Sequence, residues 1–126
     1  MNVNPKDAHA RHKVSLSKIP AVALIHAAAA IQNGAEKYGA YNWRNKPVIA
    51  SIYVDACMRH LLAWFEREER AGDSGVSHLG HAIASLAILL DAQAHGVLVD
   101  DRPDGDPAIL AAALAAISPE EGNPHG

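Results

Sequence analysis

The chain holds 126 residues and 13.3 kDa, enough to bury one core but not two. Its 25 alanines and six aromatic residues favour closely packed helices over a sheet. A formal charge of −3 and a pI near 6.2 exclude the basic excess of nucleic-acid binders held by general electrostatics, and a lone cysteine, Cys57, excludes an intrachain disulfide and a cysteine-based zinc site.

No N-terminal stretch combines a basic start, an apolar run and a cleavage signal, so the chain reads as cytoplasmic. The longest apolar stretch, Ala82 to Ala92, is too short for a bilayer and is broken by Ser85 and Asp91. Neither a membrane nor a nucleic acid is an expected partner. Histidine stands out, at eight residues.

Residues 1–18 are polar, with Lys6, His9, Arg11, His12 and Lys13 and no amphipathic period. They read as an extended N-terminal arm, either a solvated terminus or a contact for phosphate or a neighbouring subunit. A first helix is predicted from Ser17–Pro20, with Ser17 as its cap, stopping at Asn33-Gly34. His26 inside it reads as a packed core or interface residue. Residues 34–46 then gather Tyr38, Tyr41 and Trp43 with Lys37, Arg44 and Lys46.

A second helix is predicted from about Pro47 to Arg70. Tyr53, Cys57, His60, Trp64 and Glu68 share one stripe of it. Residues 71–75 compose a turn. A third helix runs from about 76 to 95, capped by Ser74 or Asp73, with Leu79, Ile83, Leu86 and Leu90 as its apolar stripe and Gly96 as its stop. The short turn makes the two an antiparallel hairpin. After an acidic linker, Asp106-Pro107 reads as cap and first turn of a fourth helix, Ala108 to Ile117. That helix is too short to stand alone and must dock on the hairpin or on another subunit. Residues 118–126 read as a disordered tail, leaving one helical domain over 19–117. The fold class is all-α: a four-helix-bundle-like domain around a central hairpin of about 47–70 and 76–95.

Two constellations carry chemistry. His60, Glu68, Asp73, His78 and His81 converge near the hairpin turn, and facing helices of a bundle commonly build divalent-metal sites from such groups. Each also has a bland reading, as solvated helix end, hydrogen-bonded core histidine or first-turn residue. In the second constellation Tyr38 or Trp43 can stack a nucleobase, Asn42 can hydrogen-bond it, and Lys37 and Arg44 can neutralise phosphate. The same residues also suit a loop pinned by its aromatics. Cys57 reads as a small packed residue, and Asp91 and His95, four apart, as an ion pair.

Gly34-Ala35-Glu36-Lys37-Tyr38-Gly39, Asn42-Trp43, Arg59-His60-Leu61-Leu62-Ala63-Trp64, Glu68, Asp73-Ser74-Gly75 and His78 together resemble a phage-associated family of dATP/dGTP diphosphohydrolase N-terminal domains. That family is similar to the all-α MazG-like nucleoside triphosphate pyrophosphohydrolases. The resemblance covers roughly residues 6–93. It implies metal-dependent hydrolysis of a (deoxy)purine nucleoside triphosphate to monophosphate and pyrophosphate, in the host cytosol if the chain is phage-encoded.

By position, the resemblance implies substrate binding by Lys37, Tyr38, Asn42, Trp43 and Arg59. It implies metal binding by His60, Glu68, Asp73, His78 and His81, with Glu68 or Asp73 as catalytic base. The expected cofactor is magnesium or manganese, or a transition metal such as zinc, given the histidines. The chain departs from the family's pattern with Ala71 where relatives often carry an acid, Arg67 where they carry glycine, and His78-Leu79-Gly80-His81 in place of a carboxylate pair. The alternative function is a non-catalytic helical oligomer acting as a nucleotide-binding or protein-interaction module. Self-association as a homodimer or tetramer is expected either way, because the Ala-rich helices expose more small apolar surface than one copy covers.

Overall fold

The computed structural model describes residues 4–118. The described chain forms helices α1 (Pro5–Ala10), α2 (Ala21–Tyr38), α3 (Ala50–Phe65), α4 (His78–Ala94) and α5 (Pro107–Ile117). Single 3₁₀ turns lie at Leu16–Lys18 and Asn42–Arg44. Strands β1 (Val48–Ile49) and β2 (Leu98–Val99) pair in parallel, Val48 opposite Leu98 and Ile49 opposite Val99. The architecture is all-α and bundle-like, and α4 is its centre, packed on both α2 and α3. No helix of the described residues is long and apolar enough to cross a membrane.

Cys57 faces Ala82 and His60 faces His78, so α3 and α4 run antiparallel as the turn signals predict. The hairpin is tighter in its helices and longer in its connection than expected. α3 ends at Phe65 rather than Arg70. Glu68 N–H donates to Ala63 O (3.0 Å) and Arg67 N–H to Trp64 O (3.0 Å), with Arg67 left-handed at φ 76°. This double closure ends a helix by using up its last carbonyls. The charged run 66–70 therefore leaves the helix and reaches solvent, and Ala71, buried, bonds across the connection to Val76.

Other boundaries moved for similar local reasons. α2 passes through Asn33-Gly34 and stops at Gly39, φ 92°. A glycine inside a helix is tolerated at a cost of about 1 kcal/mol, and the extra turn sets Ala35 and Tyr38 beside α4. Pro20 precedes α2, while the Ser17 hydroxyl pairs with Ser15 instead of capping. Ser77, not Ser74 or Asp73, caps α4. The arm contains α1, capped by Asn4, with every described residue from 4 to 20 exposed. Most of the predicted tail lies outside the described residues.

The packing face of α4 also differs from the apolar stripe. Gly80, Ala82, Ala84 and Ala92 are buried, whereas Leu79, Ile83, Leu86 and Leu90 face outward, Leu90 with 69% of its surface exposed. The reason is close approach. A Cβ on Gly80 would sit 2.6 Å from the backbone oxygen of His26, so α2 and α4 meet along small residues and large ones cannot enter the seam. Val48 is the largest fully buried side chain. The fourth helix, α5, forms as its cap predicted, with Asp106 Oδ1 accepting from Ala108 N–H. It does not dock on the hairpin: all of its residues are exposed and it makes no extended contact with another element.

Candidate active site

The first turn of α4, the facing turn of α3 and the connection between them bring four of the predicted residues together. Ser77 Oγ accepts from Leu79 N–H (3.2 Å) and fixes the start of α4. His78, buried, is then held by its own N–H on Glu69 O (3.0 Å). Its Nε2 lies 2.7 Å from Glu68 Oε1 and its Nδ1 lies 2.8 Å from His60 Nδ1. Glu68 reaches this position because the chain turns back at Arg67, not because it continues the α3 stripe.

The proton inventory of this chain is constrained. A carboxylate only accepts, so His78 Nε2–H donates to Glu68. In the tautomer that carries a single proton on His78, its Nδ1 accepts from His60 Nδ1–H. That leaves His60 Nε2 bare, with no protein hydrogen-bond partner among the described residues. Burial, followed by the nearby charges of His81, His78 and Arg59, holds the His60 imidazole below the ordinary histidine range. The site thus presents a neutral nitrogen base backed by a histidine and a carboxylate.

His81 lies flat on His60, ring centroids 4.6 Å apart at 9°. Ser74 Oγ accepts from Val76 N–H (3.2 Å) and is hydrogen-bonded to His81 Nε2 (2.7 Å). Burial lowers the His81 pKa, with Asp73 opposing. Asp73 is in the same turn but not in the bonded chain. Its Oδ1 accepts from Ser74 N–H (2.8 Å), which holds its carboxyl below the usual range, and it reaches His60 and His81 only through charge. Ser74 was legible in the sequence as a turn residue or cap; its bond to His81 depends on α4 starting three or four residues later than Ser74 or Asp73 would set it.

The substrate candidates fall beside this cluster. A cavity of about 170 Å³ between α2, α3 and α4 is lined by Tyr38, Asn42, Trp43, Tyr53 and His81. Drug-sized ligands occupy about 300–1,000 Å³, so this space suits one ring system rather than a whole nucleotide. Tyr53 joins the lining from the α3 stripe, a role its spacing did not single out. Lys37, exposed at the end of α2, exerts its charge on Asp73 and His81. Arg59 is exposed next to His60.

Arg44 has a different task from the phosphate neutralisation expected of it. Its Nε and terminal nitrogen each lie 2.9 Å from an Asp91 oxygen, and Trp43 Nε1–H donates to the same carboxylate (2.7 Å). Arg44 also covers the Tyr41 ring at 4.3 Å. Asp91 is pulled far below the usual carboxylate range by Arg44 and then by Trp43. Its main partners are therefore in the loop, while His95 Nδ1–H donates to the Asp91 backbone oxygen (2.9 Å). This knot fixes the loop that carries Asn42 and Trp43 to the cavity.

As placed, the side chains of the cluster are bonded to one another. Among the described residues, no three His, Cys, Asp or Glu side chains are grouped so as to hold a metal ion. The nitrogens of His60 and His78 that face each other are 2.8 Å apart, a separation filled by a shared proton.

The family model described as dATP/dGTP diphosphohydrolase, N-terminal, matches residues 3–102. No curated protein and no solved structure matches the chain.

Proposed function

The chain belongs to the dATP/dGTP diphosphohydrolase N-terminal family, and on that premise we propose that it hydrolyses a purine deoxynucleoside triphosphate to the monophosphate and pyrophosphate. One observation carries the reading: His81 borders both the ring-sized cavity and the His60 ring. A base seated in the cavity then has its phosphates beside His60. Tyr38 and Trp43 supply ring faces and Asn42 an amide for the base. Lys37 and Arg59 offset the charge of the phosphates.

In the step itself, His60 Nε2 takes a proton from a water as its oxygen bonds to the α-phosphorus. The bond from that phosphorus to the bridging oxygen breaks, and pyrophosphate leaves with the electron pair. The imidazolium formed on His60 keeps its Nδ1–H on His78, whose other nitrogen is held by Glu68. Glu68 and Asp73, the carboxylates singled out from the sequence, act in this reading on the histidines, Glu68 through His78 and Asp73 through space. The triphosphate enters as its magnesium or manganese complex, so the cation comes as part of the substrate. Imidazole would favour a transition metal such as zinc over magnesium. The working unit is a homodimer or tetramer.

The test is turnover of a panel of deoxynucleoside and ribonucleoside triphosphates with Mg²⁺, Mn²⁺ and Zn²⁺, read by pyrophosphate and monophosphate release. Purine deoxynucleotides should be hydrolysed. Folded protein that turns over none of them under any metal removes the enzyme. A second reading, a nucleotide-binding module without turnover, is favoured by Ala71 and by the histidines His78 and His81 standing where the resemblance expects a carboxylate pair. It predicts stoichiometric binding in calorimetry and no pyrophosphate.

A further inference from the structure

Two apolar features take no part in the site. One is a groove of about 690 Å³ beside the first turns of α2 and α4, lined by Pro20, Val22, Ala23, Leu79 and Ile83 with Glu69 and Arg70 among the polar residues. The other is α5. Its residues Pro107–Ile117 include no polar side chain, and Ile109, Leu110, Leu114 and Ile117 are 55–83% exposed. A helix apolar on all sides is stable only when covered, and at this length it has little stability of its own. The helix also lies beyond residues 3–102, the span matched by the family model.

Charge indicates what covers it. The segment leading into α5 carries Asp100, Asp101, Asp104 and Asp106 against a single cation, Arg102, which Asp100 already grips at 2.6 and 2.7 Å. The segment leading into the groove is the opposite. Residues 8–35 contain no acid, and Arg11, Lys13 and Lys18 stand exposed just before Pro20. An acidic strap followed by an apolar helix complements a basic arm followed by an apolar groove, and both halves occur in one sequence.

The chain's own α5 starts at the wrong end to fill its own groove. Asp101 is tied to Ser51 at the start of α3, its Oδ1 accepting from Ser51 N–H (2.9 Å) and its other oxygen from the Ser51 hydroxyl. That anchor adjoins the β1–β2 pair, which follows the far end of α4. The 17 residues of α4 separate it from the groove by about 25 Å.

We propose that α5 docks in the groove of a second copy of this chain, and that the two copies exchange helices about a two-fold axis. The exchange covers both apolar features of both chains at once and closes on itself. The acidic strap of each copy then lies against the basic arm of the other.

The test needs no turnover, so it stands apart from the hydrolase reading. Sedimentation of the full chain at micromolar concentration should give a dimer or a multiple of it. A Leu110→Asp, Leu114→Asp double variant should dissociate at least about tenfold more readily, as should Val22→Asp in the groove. All three positions are more than half exposed, so the α2–α4 packing should persist, and circular dichroism should lose at most the helicity of the 11 residues of α5. Met58→Asp, on the exposed side of α3, should leave assembly intact. Mixing a Leu114→Cys chain with a Val22→Cys chain should give a cross-linked pair. Four results each overturn the proposal: a monomeric parent chain, an assembly that survives the double variant, one that Met58→Asp dissolves, or a cross-link formed within one monomer carrying both cysteines.

Discussion

The two ends of α4 are built from similar parts and reach different states. At the C-terminal end, Asp91 is filled by the Arg44 fork and the Trp43 indole, each at 2.7–2.9 Å. At the N-terminal end, the chain Glu68–His78–His60 stops one bond short and leaves His60 Nε2 bare. A saturated cluster fixes a position. An unsaturated one keeps acid–base capacity, which is what proton transfer requires. One helix thus carries a clasp at one end and a base at the other, with the ring-sized cavity between.

If that contrast is right, the two ends respond differently to substitution. The largest expected effect is at the base end. His78→Ala cuts the link between Glu68 and His60, and pyrophosphate release should fall by about 10²–10⁴-fold while circular dichroism still reports a folded helical protein. Next is the seam that holds α4 in place for both ends. Gly80→Ala pushes a methyl against the His26 backbone and should cost about 2 kcal/mol in denaturant unfolding. At the clasp end, Asp91→Asn loosens the loop bearing Asn42 and Trp43. It should raise KM several-fold and lower the melting temperature while leaving kcat nearly intact; a loss confined to kcat would erase the distinction between the ends. The smallest effect is at the turn that delivers Glu68. Arg67 is left-handed at φ 76°, a conformation in which glycine is relaxed. Arg67→Gly should stabilise the fold by about 0.5–1 kcal/mol, read from the unfolding midpoint.

Much of this was legible from residue spacing. The Asp106 cap, the Gly96 stop, the antiparallel hairpin and the gathering of His60, His78 and His81 follow from short-range rules that the fold obeys, whereas Glu68 joins them through the turn at Arg67 and not along the α3 stripe. Tyr38, Asn42 and Trp43 share a cavity as their clustering suggested. What sequence spacing did not reveal depends on distances between separate elements. The α4 stripe of Leu79, Ile83, Leu86 and Leu90 looks like a core face, yet the face that packs is set by how closely Gly80 lets α2 approach. The pairing of Asp91 with Arg44 and Trp43, 47 and 48 residues away, adds to its local contact with His95 (3.5 Å), the one part that spacing showed. The β1–β2 pair has two residues per strand, too few to carry a periodic signal.

The imidazole pair also ties stability to pH. Folding lowers the pKa of both His60 and His81 from an ordinary value near 6.5, so the unfolded chain binds more protons. Their contribution is fully present above about pH 6.5 and is lost as pH falls toward the folded values.

The most direct test is a histidine-selective ¹⁵N spectrum of the free protein, followed from pH 8 downward. The bonded chain predicts a neutral His60 at pH 7, with its proton on Nδ1, an unprotonated Nε2, and protonation only below the ordinary range near 6.5. A His60 that carries its proton on Nε2, or is already imidazolium at pH 7, has no lone pair to offer a water and contradicts the account.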